Sequence, residues 1–276
     1  MEFRRNVPAK NITTYGGKGV LEEIYLPETI EEVIDLFRAE KDIFILGGGS
    51  NVIIPDGEID KKVTSFARLN SIEIDGDKAV VAGGARLSSV VSKAREYGLG
   101  GLEFMAGVPA TIGGLARMNA GAFGQEFGVY IDRITSLNPD NDKIDIFPPF
   151  NFGYRQGFQG VVIEVQLHLE RMSKETSLER ENEYRLARKL RQPQGRSTGS
   201  VFKNPDKSAG YYIDRAGLKG MRRGGAEISP LHGNFIINVD DGSAEDFLYL
   251  ARTAKDRVYQ QFGIELKEEF IVLGEI

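Results

Sequence analysis

Apolar residues recur along this chain at two spacings. After Pro27, residues Ile30, Val33, Ile34 and Phe37 fall at helical intervals, and Thr29 followed by Glu32 forms a capping-box pattern. That spacing predicts a helix to about Lys41. Ile43 to Leu46 is then an apolar run of strand length that empties into Gly47, Gly48 and Gly49. Val80 to Ala82 repeats the figure before Gly83 and Gly84, and Leu87, Val90, Val91 and Ala94 mark a helix stopped by Gly98. Val161 to Leu169 predicts a strand that closes the first half. From Ser173 to Arg191 the chain is dense in Glu, Arg and Lys with few core candidates, which reads as an exposed helix at a boundary between two domains, 1–172 and 173–276. Beyond it, the pattern predicts a loop over Gly199–Pro205, a helix over Ala209–Ala216 and a strand over Asn234–Val239. Ser243 would cap a helix on which Phe247, Leu250, Ala251, Ala254 and Val258 share one face. The expected architecture is mixed, of the α+β class.

Composition narrows the chemistry. At 276 residues and 41% hydrophobic content the chain can bury one large core or two modest ones. A net charge of -5 with dispersed Lys and Arg offers no footprint for a nucleic-acid backbone. The absence of cysteine removes disulfides, thiolate metal sites and a cysteine nucleophile, and two histidines, His168 and His232, make a poor metal set. No run of signal-peptide or membrane-spanning length is present, so we expect a cytoplasmic protein without membrane insertion. A monomer is expected.

Five stretches remain as candidate chemistry. Gly47-Gly48-Gly49-Ser50-Asn51 offers backbone N–H groups with no Cβ in the way, a cradle for a pyrophosphate, or simply a tight strand exit. It is not the dinucleotide fingerprint of a Rossmann unit. The small-residue stretch from Gly107 to Gly124, with Thr111, Gly113, Gly114, Asn119 and Gly121, is a second such loop with a helical turn inside, and two loops could clasp one dinucleotide. Tyr154-Arg155 follows a Pro-Pro turn, and its planar guanidinium suits a carboxylate or a developing enolate as well as a surface ion pair. Gly199-Ser200-Val-Phe-Lys203-Asn204-Pro205 places a hydroxyl, an ammonium and an amide close together, which is also ordinary turn chemistry. Glu269, in the terminal strand-like run, falls on the side of Ile271 and Leu273, a costly place for a carboxylate unless it is paired or functional, or exposed on an edge strand. His232 could line a ligand site, and His168 reads as a solvent-facing strand residue.

In this order and spacing, the five motifs make the chain resemble the UDP-N-acetylenolpyruvoylglucosamine reductases (MurB family) over nearly its whole length. They run from the Gly-Gly-Gly-Ser-Asn loop through Gly-Ser-Val-Phe-Lys-Asn-Pro to Leu266-x-x-Glu269-Phe-x-x-x-Gly274. The resemblance implies an FAD-binding domain of the vanillyl-alcohol-oxidase (PCMH) type, made of two α/β subdomains, and a smaller α/β substrate-binding domain. It implies FAD held noncovalently by Gly47, Gly48, Gly49, Ser50, Asn51, Gly107, Thr111, Gly113, Gly114, Asn119 and Gly121. Many relatives with this flavin fold tether FAD through His or Cys. Here there is no Cys, and neither His lies near a glycine loop. The implied reaction reduces UDP-N-acetylglucosamine enolpyruvate to UDP-N-acetylmuramate with NADPH, for peptidoglycan synthesis. Ser200 matches the proton donor, Arg155 and Glu269 the enolate-stabilising pair, and Tyr154, Arg155, Lys203 and Asn204 the substrate contacts. The short span between Arg155 and Ser200 leaves no room for a tyrosine-bearing lid, as in the type II form. Three departures stand out: Ala110 in place of the usual Gly, Leu115-Ala116-Arg117 in place of smaller apolar residues, and Gly157 in place of a common Ser.

Overall fold

The computed structural model describes residues 1–149 and 152–274. The chain divides into two compact units, Met1–Phe3, Ile24–Gly48 and Lys62–Arg188 in the first, Arg4–Glu23, Gly49–Lys61 and Lys189–Ile276 in the second.

In the first unit, helix α1 (Ile30–Ala39) starts where Thr29 accepts a hydrogen bond from the Glu32 N–H, and it ends two residues before the expected Lys41. The Glu32 carboxylate reaches back to the Glu28 N–H. The helix leads to strand Phe44–Ile45, which pairs in parallel with Val63–Thr64. Val33 and Phe37 turn inward with Phe66, Leu137, Val161 and Ile163. The larger layer is a five-stranded antiparallel sheet in the order Lys143–Phe147, Ile131–Asn138, Val161–His168, Lys78–Ala82, Ile72–Asp75. Helices α2 (Leu87–Glu96) and α3 (Ile112–Met118) contribute Leu87, Val90, Val91, Ile112 and Leu115 to its core. Helix α4 (Lys174–Arg191) is the charged helix read from composition. Its Ser177 donates to buried Glu103 at 2.7 Å, and Arg95 reaches Ser177 at 3.0 Å and pairs with Glu181. These contacts hold α4 to the first unit, so the compact units cut the chain elsewhere than at 172/173.

The second unit carries a four-stranded antiparallel sheet, Arg196–Ser200, Phe235–Asn238, Ala226–Ile228, Arg222–Arg223. Gly199 and Ser200, expected in a loop, end a strand instead. Helix α5 (Ala209–Arg215) is capped by Ser208, and α6 (Ala244–Phe262) opens on a complete capping box between Ser243 and Asp246 and closes at Gly263. The predicted face of α6 is buried, and Phe247 meets Tyr15 edge-on at 5.0 Å. Asp56 accepts from the Ala244 and Glu245 N–H groups, tying residues 49–61 to the start of α6.

Candidate functional site

The first glycine turn is fixed by close approach. A Cβ on Gly48 would lie 2.4 Å from the Pro109 carbonyl oxygen, and one on Gly47 3.0 Å from Thr111 Oγ1, so the two predicted loops touch through bare backbone. Among the described residues, the N–H groups of Gly47, Gly48, Gly49 and Ser50 donate to no protein acceptor. Four consecutive free donors beside missing side chains fit an anionic pyrophosphate. In the second loop, by contrast, several donors are already spent. The Gly113 N–H goes to Gly83 O at 2.8 Å and that of Gly114 to Thr111 Oγ1 at 3.3 Å. Asn119 is left-handed (φ 41°), and its side chain holds Glu126, Gly153 O and the Gly128 N–H, which makes it a tie between loops. Ala110 sits where Gly is usual without a left-handed φ, so its Cβ is accommodated.

Arg155 has φ 53°, a conformation that costs a bulky side chain about 1–2 kcal/mol. Its guanidinium donates to Gly121 O at 3.1 Å and lies 5.1 Å over the half-exposed Tyr154 ring. The predicted arginine is therefore anchored on the second glycine loop, in the strained backbone that functional positions tolerate. A Cβ on Gly157 would fall 2.1 Å from Ala116 O, so the departure at 157 is matched to the path of α3. Residues 150 and 151, between the Pro-Pro turn and this segment, lie outside the described residues.

In the second unit three predicted stretches come together. Val201 O accepts from the Glu269 N–H at 2.8 Å and Lys267 O from the Lys203 N–H at 2.9 Å, which lays the segment after Ser200 antiparallel to the one containing Glu269. On the other side of that segment, Ile271–Val272 pairs in parallel with Val52–Ile53, and Asn51 Nδ2 donates to Glu269 O at 2.7 Å. The end of the first glycine turn, Ser200 and Glu269 are thus joined by one ribbon of backbone bonds. Glu269 is half-buried, and Lys203 likewise. Asn204, expected to touch substrate, is exposed, and its Oδ1 accepts from the Ala209 N–H at the start of α5.

Arg188 was invisible in the charged run of α4. Its Nε donates to Ala106 O at 3.0 Å beside Gly107, its guanidinium lies 5.5 Å from the Phe123 ring centroid, and burial pushes its pKa down. Phe123 itself is left-handed (φ 52°) at the tip of the two-residue hairpin Gly121–Glu126, where Asn is the usual residue. His232 is packed edge-on against Phe235 and accepts from the Asn234 N–H, and His168 pairs with Asp132 at the surface. Among the described residues, no group of three or more acidic, His or Cys side chains could hold a metal ion, and no helix is long and apolar enough to cross a membrane.

The comparisons with known proteins define the class, a flavin-dependent oxidoreductase. Residues 22–139 match the FAD binding domain family and residues 191–273 the C-terminal domain of UDP-N-acetylenolpyruvoylglucosamine reductase. The reductase of Limosilactobacillus reuteri is 35% identical, over 99% of this chain and 96% of that protein, and that of Caldicellulosiruptor bescii is 35% identical, over 100% and 92%. The crystal structure of the Thermus caldophilus reductase superposes with a TM-score of 0.83 at 35% identity, covering 98% of each chain. The chain belongs to the UDP-N-acetylenolpyruvoylglucosamine reductase family. It is an oxidoreductase with FAD as cofactor, and its fold is the mixed α+β architecture of the Thermus caldophilus reductase, with an FAD binding domain and a C-terminal domain.

Proposed function

We propose that this chain uses NADPH to reduce UDP-N-acetylglucosamine enolpyruvate to UDP-N-acetylmuramate, as a monomer in the cytoplasm, in the synthesis of peptidoglycan precursors. The observation that supports this reading is the ribbon in which Glu269 is bonded to Val201, the residue after Ser200, and to Asn51. The flavin is held within residues 1–172, chiefly by the amides of Gly47, Gly48, Gly49 and Ser50. Asn51, Gly107, Thr111, Gly113, Gly114, Asn119 and Gly121 shape the two loops around it. The sugar nucleotide is held largely by 173–276, with Lys203 and Asn204 at the loop after Ser200, and by Tyr154 and Arg155.

FAD bound there would supply two-electron transfer between NADPH and the enolpyruvyl ether. The protein's task is the charge and the proton that follow. Arg155 meets the developing enolate with its planar fork of donors, and the bond to Gly121 O orients that fork before substrate arrives. Glu269 acts with Arg155 in stabilising the enolate formed after hydride addition. Ser200 delivers a proton to the neighbouring carbon. A serine hydroxyl is a weak acid, so the Lys203 ammonium serves to stabilise the alkoxide left behind.

The test is anaerobic reduction of the yellow protein by NADPH, followed by addition of the enolpyruvyl substrate. Prompt reoxidation, slowed about 10²–10⁴-fold in Ser200→Ala, is the expected result. If only oxygen restores the colour, the protein is an oxidase instead.

A further inference from the structure

We propose that a β-bulge at Thr198 and Gly199, with Gly199 as its pivot, is the device that aims the Ser200 hydroxyl, which makes Gly199 a positioning residue for proton transfer. The inference rests on the reading of Ser200 as proton donor. Arg196 and Ser197 pair with Asn238 and Ile237, but the next pair is Ser200 with Phe235. One strand has therefore gained a residue over the other. In an unbroken strand, two residues three apart point to opposite faces. The bulge brings Ser197 and Ser200 to one face, the face of Ile237 and Phe235, while Thr198 between them is buried.

Gly199 has φ 77°, the left-handed conformation that such a bulge asks of its glycine, and its N–H donates to Ser197 Oγ at 3.3 Å. A Cβ at this position would meet nothing within 4 Å. Crowding is therefore not what excludes a side chain here; backbone conformation alone does. The chain is clamped on both sides of the bulge. Before it, the Thr14 hydroxyl donates to Ser197 O at 2.6 Å. After it, buried Asn234 accepts from the Phe202 N–H at 2.9 Å and donates to Phe202 O at 2.8 Å, and Val201 O takes the Glu269 N–H. With both flanks fixed, the direction of Ser200 and its height relative to Glu269 are set by the bulge.

The test compares Gly199→Ala with Gly199→Asn in the FAD-loaded enzyme, since Asn tolerates a left-handed φ and Ala does not. Two rates are read by anaerobic stopped flow: flavin reduction by NADPH, and reoxidation by the enolpyruvyl substrate in H₂O and in D₂O. We expect Gly199→Ala to slow reoxidation at least tenfold and to enlarge its solvent isotope effect, with reduction by NADPH within twofold of wild type. Gly199→Asn should recover most of the loss although its side chain is larger. Wild-type reoxidation in Gly199→Ala, an equal fall in both rates, or an Asn variant as slow as Ala would each overturn the assignment. A wild-type enzyme that NADPH reduces but the enolpyruvyl ether does not reoxidise overturns the reaction itself, and the bulge's role with it.

Discussion

Gly157→Ser introduces the residue that the family resemblance leads us to expect here, and in this chain it should be harmful. A Cβ at 157 lies 2.1 Å from Ala116 O and 2.5 Å from the Arg117 carbonyl carbon and oxygen, well inside ordinary contact. Both obstacles are backbone, at the last turn of α3, so no rotamer relieves them. The Phe158 N–H donates to the same Ala116 O at 3.0 Å, and that bond is lost if the segment moves away. Overpacking costs about 1–3 kcal/mol and the buried hydrogen bond about 1 kcal/mol more. A loss of about 2–4 kcal/mol lowers Tm by roughly 4–16 °C in a protein of this size. Thermal unfolding followed by far-UV circular dichroism, with FAD absent to remove its mass-action stabilisation, measures it directly. A Gly157→Ser variant that melts within a degree of wild type would mean that the α3 terminus yields freely, and the argument from close approach would fail.

Two further outcomes follow from the first unit. Asn119→Ala removes three hydrogen bonds from a buried site and places Ala in a left-handed conformation. Denaturant unfolding should show a loss of about 2–4 kcal/mol, with Asn119→Gly recovering about 1 kcal/mol of it, and equal losses would refute the backbone contribution. Burial raises the Glu181 pKa, but hydrogen bonds from Arg185 and Arg95 more than offset it, so the carboxyl titrates below its usual range. A pKa lowered on folding gives stability that is present at neutral pH and is lost as pH falls from about 4.3 through the folded value. Glu181→Gln should therefore flatten the acid limb of a Tm–pH profile, and an unchanged limb would remove Glu181 from that role.

The sequence reading located what depends on local pattern. The faces of α1, α2 and α6, the Thr29 and Ser243 caps and the two glycine loops follow from residue spacing, and all lie where expected. Strand Ile131–Asn138 was not legible, because bulges at Ile131/Arg133 and Thr135/Ser136 break the alternation a regular strand would show. Asn204 reads as a ligand residue in a loop, yet its oxygen caps α5, a use that only tertiary placement reveals. Arg188 is one cation among many in a helix that looks wholly solvated, and its burial beside Gly107 leaves no mark on composition. The strain at Arg155 and Phe123 is silent for the same reason, since nothing in either residue type announces a positive φ.

The second unit draws its core from both ends of the chain. Tyr15, 1% exposed, packs on Phe247 and donates to Ser243 O, and Val52–Ile53 finds its partner in Ile271–Val272. A ribosome making about 5–20 residues per second needs roughly 12–46 s between Tyr15 and Phe247. Through that interval the early segments of this unit have emerged with their partners still unmade, while much of the first unit can already collapse. Vectorial synthesis therefore leaves Tyr15 and its neighbours as a waiting apolar surface, which makes the nascent chain, more than the finished enzyme, the form most exposed to chaperones and to aggregation.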